Sequence, residues 1–184
     1  MARSTTSRKL LRSFQARAAR VAIGPSSMRG PARKGVVLAA RDYLRRLPLS
    51  DFGTTDEKAF RGSLDRATDE LRLALPKPSR HWGLARKGLN IFLRDCLYTV
   101  YLRRAFSLQR AERFFEVPLD SISGSSLWRR SAGRLPRWKT VQGLDRFLSD
   151  QYQAEATRQA AAREIYRVHL DAIWWGERPE SKEA

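Results

Sequence analysis

Leu75-Pro76-Lys77-Pro78-Ser79-Arg80-His81-Trp82-Gly83, followed at once by Leu84-Ala85-Arg86-Lys87-Gly88-Leu89-Asn90-Ile91-Phe92-Leu93-Arg94-Asp95-Cys96-Leu97, is the stretch on which the reading of this chain turns. Pro76 and Pro78 forbid a helix from running through them, because proline has no amide donor and biases the preceding residue toward extended backbone. The residues after them are the most hydrophobic of the chain, and Leu89, Phe92, Leu93, Cys96, Leu97 and Val100 recur at the spacing of one helical face. The pattern predicts a central helix from about 83 to 106, joined to the helix before it by a tight proline-bearing connection over 75–83. Lys87, Ile91, Arg94 and Tyr98 run along the edge of the apolar stripe. Lys87 is therefore expected one turn into the helix and beside the core, where lysine is unusual.

Working outward, Val37, Ala40, Leu44 and Leu47 predict a short helix that Pro48 stops. Thr54 followed by Glu57 is a capping-box signature, and Phe60, Leu64, Ala67, Leu71 and Leu75 continue it as a second helix. Beyond the central helix, 108–115 predicts another short helix, and Val117-Pro118-Leu119 reads as extended. Asp120 is placed to cap a helix through about Arg130. A basic loop over 129–139 precedes helices predicted at 144–162 and 163–174. No segment alternates long enough for a strand, and no repeat is visible. The expected fold is all-α: a compact multi-helix domain over 35–178, with a helix-hairpin-helix-like element, a basic N-terminal arm over 1–34 and a polar tail over 179–184.

The charge is +17, from 36 Lys and Arg against 19 Asp and Glu. Such a surface attracts polyanions. It is also uneven: Arg3, Arg8, Lys9, Arg12, Arg17 and Arg20 all precede the first acidic residue, Asp42. The Ser- and Arg-rich start reads as an arm for nucleic acid, and equally as a transit peptide or a solvated tail. No apolar run approaches the roughly 20 residues that span a bilayer. Cys96 is the single cysteine, and no Cys/His cluster has metal-ligand spacing. No disulfide, metal or cofactor is expected, and the environment expected is reducing: bacterial cytoplasm, or the mitochondrion if the arm is a transit peptide.

No Gly-rich phosphate loop, HExxH or Ser-His-Asp signature is present, which leaves lysine and carboxylate as candidates for chemistry. A helix, a proline-bearing connection, a helix with Lys87 in its first turns, and Asp120 after an extended Pro-x-Asp turn occur in that order. The order resembles the helix-hairpin-helix DNA glycosylases. The 33 positions from Lys87 to Asp120 are most similar to the archaeal 8-oxoguanine glycosylase branch. The matching part runs from about 54 to 130. It departs from the usual hairpin, which carries two glycines where this turn has Pro76, Pro78 and only Gly83.

The resemblance implies attack by Lys87 on C1′ of a nucleotide flipped out of double-stranded DNA, with Asp120 stabilising the oxocarbenium-like sugar and managing the amine proton. Burial and the neighbouring cations Arg86 and Arg94 would favour the neutral amine that attack requires. The bland readings are a snorkelling lysine and a plain N-cap aspartate.

For nucleic-acid contact, the expected residues are His81 and Trp82 ahead of the central helix, Arg86 and Arg94 within it, and Arg129, Arg130, Arg134, Arg137, Trp138 and Lys139, which with Trp128 interleave charge with aromatic rings. Trp174 and Trp175 are read as packing, Asp171 as a cap or ion-pair partner, and His169 as a core-edge residue.

The expected function is a monomeric DNA glycosylase, with or without lyase activity, excising a damaged or modified base in repair or in defence against phage DNA. The alternative is a non-catalytic RNA- or DNA-binding protein, such as a ribosome-associated component, in which the positive charge does the work.

Overall fold

The computed structural model describes residues 5–28 and 35–177, and among them the chain is all-α with no strand. In chain order the helices are α1 (Thr5–Ala22), α2 (Val36–Leu44), α3 (Glu57–Ala74), α4 (Trp82–Tyr98), α5 (Val100–Ala105), α6 (Ser121–Arg130), α7 (Arg146–Ala161) and α8 (Leu170–Gly176). Short 3-10 turns at Leu49–Phe52, Lys77–Ser79, Leu108–Phe114 and Arg167–His169 link them. The tail expected at 179–184 lies outside the described residues, as does the remainder of the expected arm at 1–4 and 29–34.

Helix α3 follows its pattern, burying Phe60, Leu64, Ala67 and Leu71 on one face. Its cap is Asp56, not Thr54: the Asp56 carboxylate accepts the Lys58 and Ala59 amides at 2.8 and 3.2 Å, while the Thr54 hydroxyl accepts the Asp56 amide. Leu75 is extended, as the residue before a proline must be, and the turn Lys77–Ser79 hands the chain to α4.

The expected arm is corrected over its described part. Residues 5–22 form α1, which packs against α4, α2 and α5. Ala18, Ala19 and Ala22, with Ile23 and Met28 after the helix, are buried in the core. Each helix end is tied to its neighbour. Gln15 donates to the carbonyls of Leu44 and Leu47 at 3.0 and 2.8 Å, and Arg41 donates to those of Ile23 and Arg20 at 2.8 and 3.0 Å. Helix-terminal carbonyls lack partners within their own helix, so these bonds fix α1 to α2. Arg8, Lys9, Arg12, Arg17 and Arg20 face outward.

The single long central helix is also corrected. It breaks at Thr99, whose backbone is extended and whose hydroxyl donates to the Asp95 carbonyl at 2.8 Å, so α5 leaves in a new direction. The last predicted helix is shortened to α8 behind the turn Arg167–His169.

Two apolar clusters form the core, one built on α1 to α5 and one on residues 117–174. Helix α4 touches α1, α3 and α7, and so carries the seam between them.

Candidate active site

Glu116, Val117, Pro118 and Leu119 cross the molecule without a sheet partner, so their polar groups are satisfied by side chains from elsewhere. Arg167 donates to the carbonyls of Phe115 and Phe114 at 3.0 and 2.8 Å. Gln153 brackets Val117, its amide donating to the Val117 carbonyl at 2.8 Å and its oxygen accepting the Val117 amide at 3.1 Å. Glu116 receives Arg86 on both carboxylate oxygens at 2.8 Å and Asn90 at 2.9 Å. Burial alone would raise the Glu116 carboxyl, but the Arg86 guanidinium, with Arg167 and Asn90, outweighs it and holds the group at about 2.

This frame delivers Asp120 to the start of α6. Its Oδ1 accepts the amides of Ile122 and Ser123 at 2.8 and 3.0 Å, and the Ser123 hydroxyl accepts the Asp120 amide at 2.9 Å while donating to the Pro118 carbonyl. The result is a full capping box. Oδ2 takes part in none of these bonds, so one oxygen alone holds the helix.

Lys87 lies on α4 and is only 6% exposed. Helical spacing puts Lys87, Ile91, Arg94 and Tyr98 on one face, and all four line a hollow of about 450 Å3 with Asp120 across from them. A second hollow, of about 400 Å3, adjoins it. Ser26, Lys87, Asp120 and Trp175 line both. Lys87 and Asp120 thus stand together at the junction of the two hollows.

The remaining walls come from three directions. Val21 and Ala22 of α1 and the turn after it form one side of the first hollow, and Asp171, Ala172 and Trp175 of α8 another. The second hollow is closed by the loop from Trp138 to Gln142. That loop is fixed by two close approaches. A Cβ on Gly83 would lie 2.1 Å from the Val141 carbonyl oxygen, and one on Gly124 would lie 2.3 Å from the Trp138 ring. Only glycine lets the loop lie against α4 and α6 in this way.

Several expected residues stand elsewhere or do something different. Arg86 is buried, committed to Glu116, Asp65 and Thr68, and is corrected from a nucleic-acid contact to a structural cation. Arg94 lines the hollow but is ion-paired with Asp171 and Asp95. The two arginines expected to press positive charge on Lys87 are therefore both matched by carboxylates. Trp138 is buried edge-on against Tyr152, 5.3 Å between ring centroids, which rules out stacking on a free base in this conformation. Trp82 packs on the second core cluster under Arg86, and neither it nor His81 lines the two hollows.

Arg129, Arg130, Arg134, Arg137 and Lys139 are exposed at and beyond the end of α6. Arg134 pairs with Glu155, Arg130 with Glu177, and Arg137 lies over Trp128. Among the described residues Arg129 and Lys139 make no ion pair, and Lys139 lines the second hollow.

Trp175 is the residue that sequence reasoning missed. Read with Trp174 as packing, it is 49% exposed and lines both hollows, whereas Trp174 is buried. The sequence carries no signal that sets it apart from its neighbour Trp174. Asp95 adds a third carboxyl, beside Asp120 and Asp171, to the first hollow; its burial pushes it up and the Arg94 contact pulls it back only in part, so it holds a proton more readily than an ordinary carboxyl.

Among the described residues no group of acidic, His or Cys side chains is arranged to hold a metal, and no helix is long and apolar enough to cross a membrane. Compared with known proteins, the chain matches no family model, and no curated protein or solved structure is significantly similar to it.

Proposed function

We propose that this protein is a DNA glycosylase with lyase activity, taking a flipped nucleotide into the cleft with Lys87 as nucleophile and Asp120 as its carboxylate partner. One observation carries the reading. Two residues of the chemistry this reaction needs, 33 positions apart, line the same two adjoining hollows, beside a half-exposed indole.

The division of the cleft suits a nucleotide. The second hollow, with Lys139 in its lining, offers positive charge to the sugar-phosphate backbone, and the first offers Trp175 and the Asp95 carboxyl to a base. Stacking on an indole recovers part of the stacking lost when the base leaves the duplex. The sugar then lies at the junction, where Lys87 and Asp120 are.

The reaction proceeds in balanced steps. The Lys87 amine lone pair forms a bond to C1′ as the glycosidic bond breaks, and that bond's electron pair leaves with the base, which takes up a proton. The negative Asp120 oxygen stabilises positive charge building on the sugar and accepts the proton that the amine sheds. Opening of the sugar ring moves the C1′–O4′ electron pair to O4′, which takes the proton held by Asp120, and yields a protonated Schiff base between Lys87 and C1′. The freed Asp120 carboxylate then takes a C2′ proton as the C3′–O bond breaks, and that bond's electron pair leaves with the 3′ phosphate, nicking the strand.

The test is base release from duplexes carrying 8-oxoguanine, uracil, alkylated bases or glucosylated hydroxymethylcytosine, read as strand cleavage on a denaturing gel after alkali. Release at one of them is expected, lost in Lys87→Gln and in Asp120→Asn while DNA affinity is kept. Tight, salt-sensitive binding with no release from any duplex would replace this reading with that of a non-catalytic binding protein.

A further inference from the structure

The base hollow does not end behind the base. Val21, Ile91, Arg94, Asp95 and Tyr98 line both it and a third hollow of about 510 Å3, which continues along the groove between α1 and α4. Either hollow alone falls in the range that holds a small-molecule ligand, roughly 300–1,000 Å3. A flat nucleobase takes up only part of one of them, so the two together hold a base and a further group.

From this continuity, and resting on the glycosylase reading, we propose that the substrate base carries a bulky, hydroxyl-rich substituent, such as a hexose on a hydroxymethyl pyrimidine, and that the third hollow receives it. The order along the groove supports this. The sugar-phosphate side is marked by Lys139, the reacting pair stands at the first junction, and the third hollow opens from the far end of the base hollow. A group attached to the base on the edge away from C1′ is carried into it.

The lining fits a sugar better than a phosphate. Arg17 offers hydrogen bonds, the Thr99 and Tyr98 hydroxyl oxygens, already bonded to the Asp95 carbonyl and to His169, can accept further ones, and so can the Asp95 carboxyl. A second phosphate in the same place would meet Asp95. Phe14 adds a ring held by stacking on Tyr101, with 4.7 Å between centroids, and so gives a rigid apolar face for the C–H side of a pyranose.

The experiment compares single-turnover base release from duplexes with one glucosylated hydroxymethylcytosine, hydroxymethylcytosine, uracil or 8-oxoguanine. It uses the full chain and Arg17→Trp, a change at an exposed position that fills only the third hollow. The expected result is release of the glucosylated base at least about tenfold faster than hydroxymethylcytosine. Arg17→Trp should abolish that preference and leave nicking of a preformed abasic site unchanged. Equal or faster release of uracil or 8-oxoguanine overturns the proposal and leaves the glycosylase standing. Equal slowing of every duplex by Arg17→Trp also overturns it, because the groove then holds a flanking nucleotide. No release from any duplex, with no nicking of the abasic site, overturns both.

Discussion

Arg86 and Glu116 form a two-pronged ion pair in the interior, Nε to Oε2 and Nη2 to Oε1, both at 2.8 Å. The pair joins α4, which carries Lys87, to the extended segment that delivers Asp120. Removing one partner strands the other charge away from water, which costs about 3–5 kcal/mol. Arg86→Met should lose that much in urea unfolding and Glu116→Ala less, because Asp65 still faces Arg86, and both should lower base release.

The same pair sets an acid limit. The Glu116 carboxyl is depressed from its ordinary 4.5 to about 2 in the folded chain. A depressed carboxyl contributes stability that is present above its unfolded value and lost as pH falls through its folded one. The contribution should therefore fade between about 4.5 and about 2. Urea midpoints measured across that window should fall steeply in the wild type and more shallowly in Glu116→Gln.

If the N-terminal segment is a packed helix rather than an arm, Gln15 matters and Arg12 does not. Gln15→Ala leaves the Leu44 and Leu47 carbonyls without their donor, at a cost of about 1–3 kcal/mol. Arg12→Ala, on the outer face, should change stability by less than about 0.5 kcal/mol. Equal melting temperatures for the two would return the segment to the status of an arm.

Gly83→Ala tests the loop that closes the second hollow. The added Cβ meets the Val141 carbonyl oxygen at 2.1 Å, so loop or helix must shift, at a cost of about 1–3 kcal/mol. Thermal melting should fall by that amount, and base release should fall further than stability, because Lys139 and Gln142 move with the loop.

Lys139→Gln and Arg129→Gln address the electrostatic part of binding. Each should weaken DNA binding across all sequences and reduce the dependence of log affinity on log salt by about 1. A slope unchanged in both would move the nucleic-acid surface elsewhere.

What was legible in the sequence was what local pattern decides. The α3 face, the capping role of Asp120, and the place of Lys87 beside the core all follow from helical spacing and cap chemistry. Helix α1 was hidden because its buried face is mostly small, Ala18, Ala19 and Ala22, diluted among arginines that mark a disordered tail as readily as a helix. Arg86 looked like a surface cation because its partner Glu116 is 30 residues away in the chain. The break at Thr99 has no glycine or proline to announce it. Trp175 and Trp174 are adjacent, and only the fold distinguishes the one that faces the cleft from the one that is buried.

The most direct test of the central claim is to incubate the protein with duplexes carrying glucosylated hydroxymethylcytosine, uracil or 8-oxoguanine in the presence of borohydride and map any adduct by peptide mass spectrometry. Hydride would reduce the Schiff base to a stable amine, so the account predicts one covalent protein-DNA adduct, located at Lys87 and missing from Lys87→Gln. An adduct that maps to another lysine, or that persists in Lys87→Gln, would contradict it.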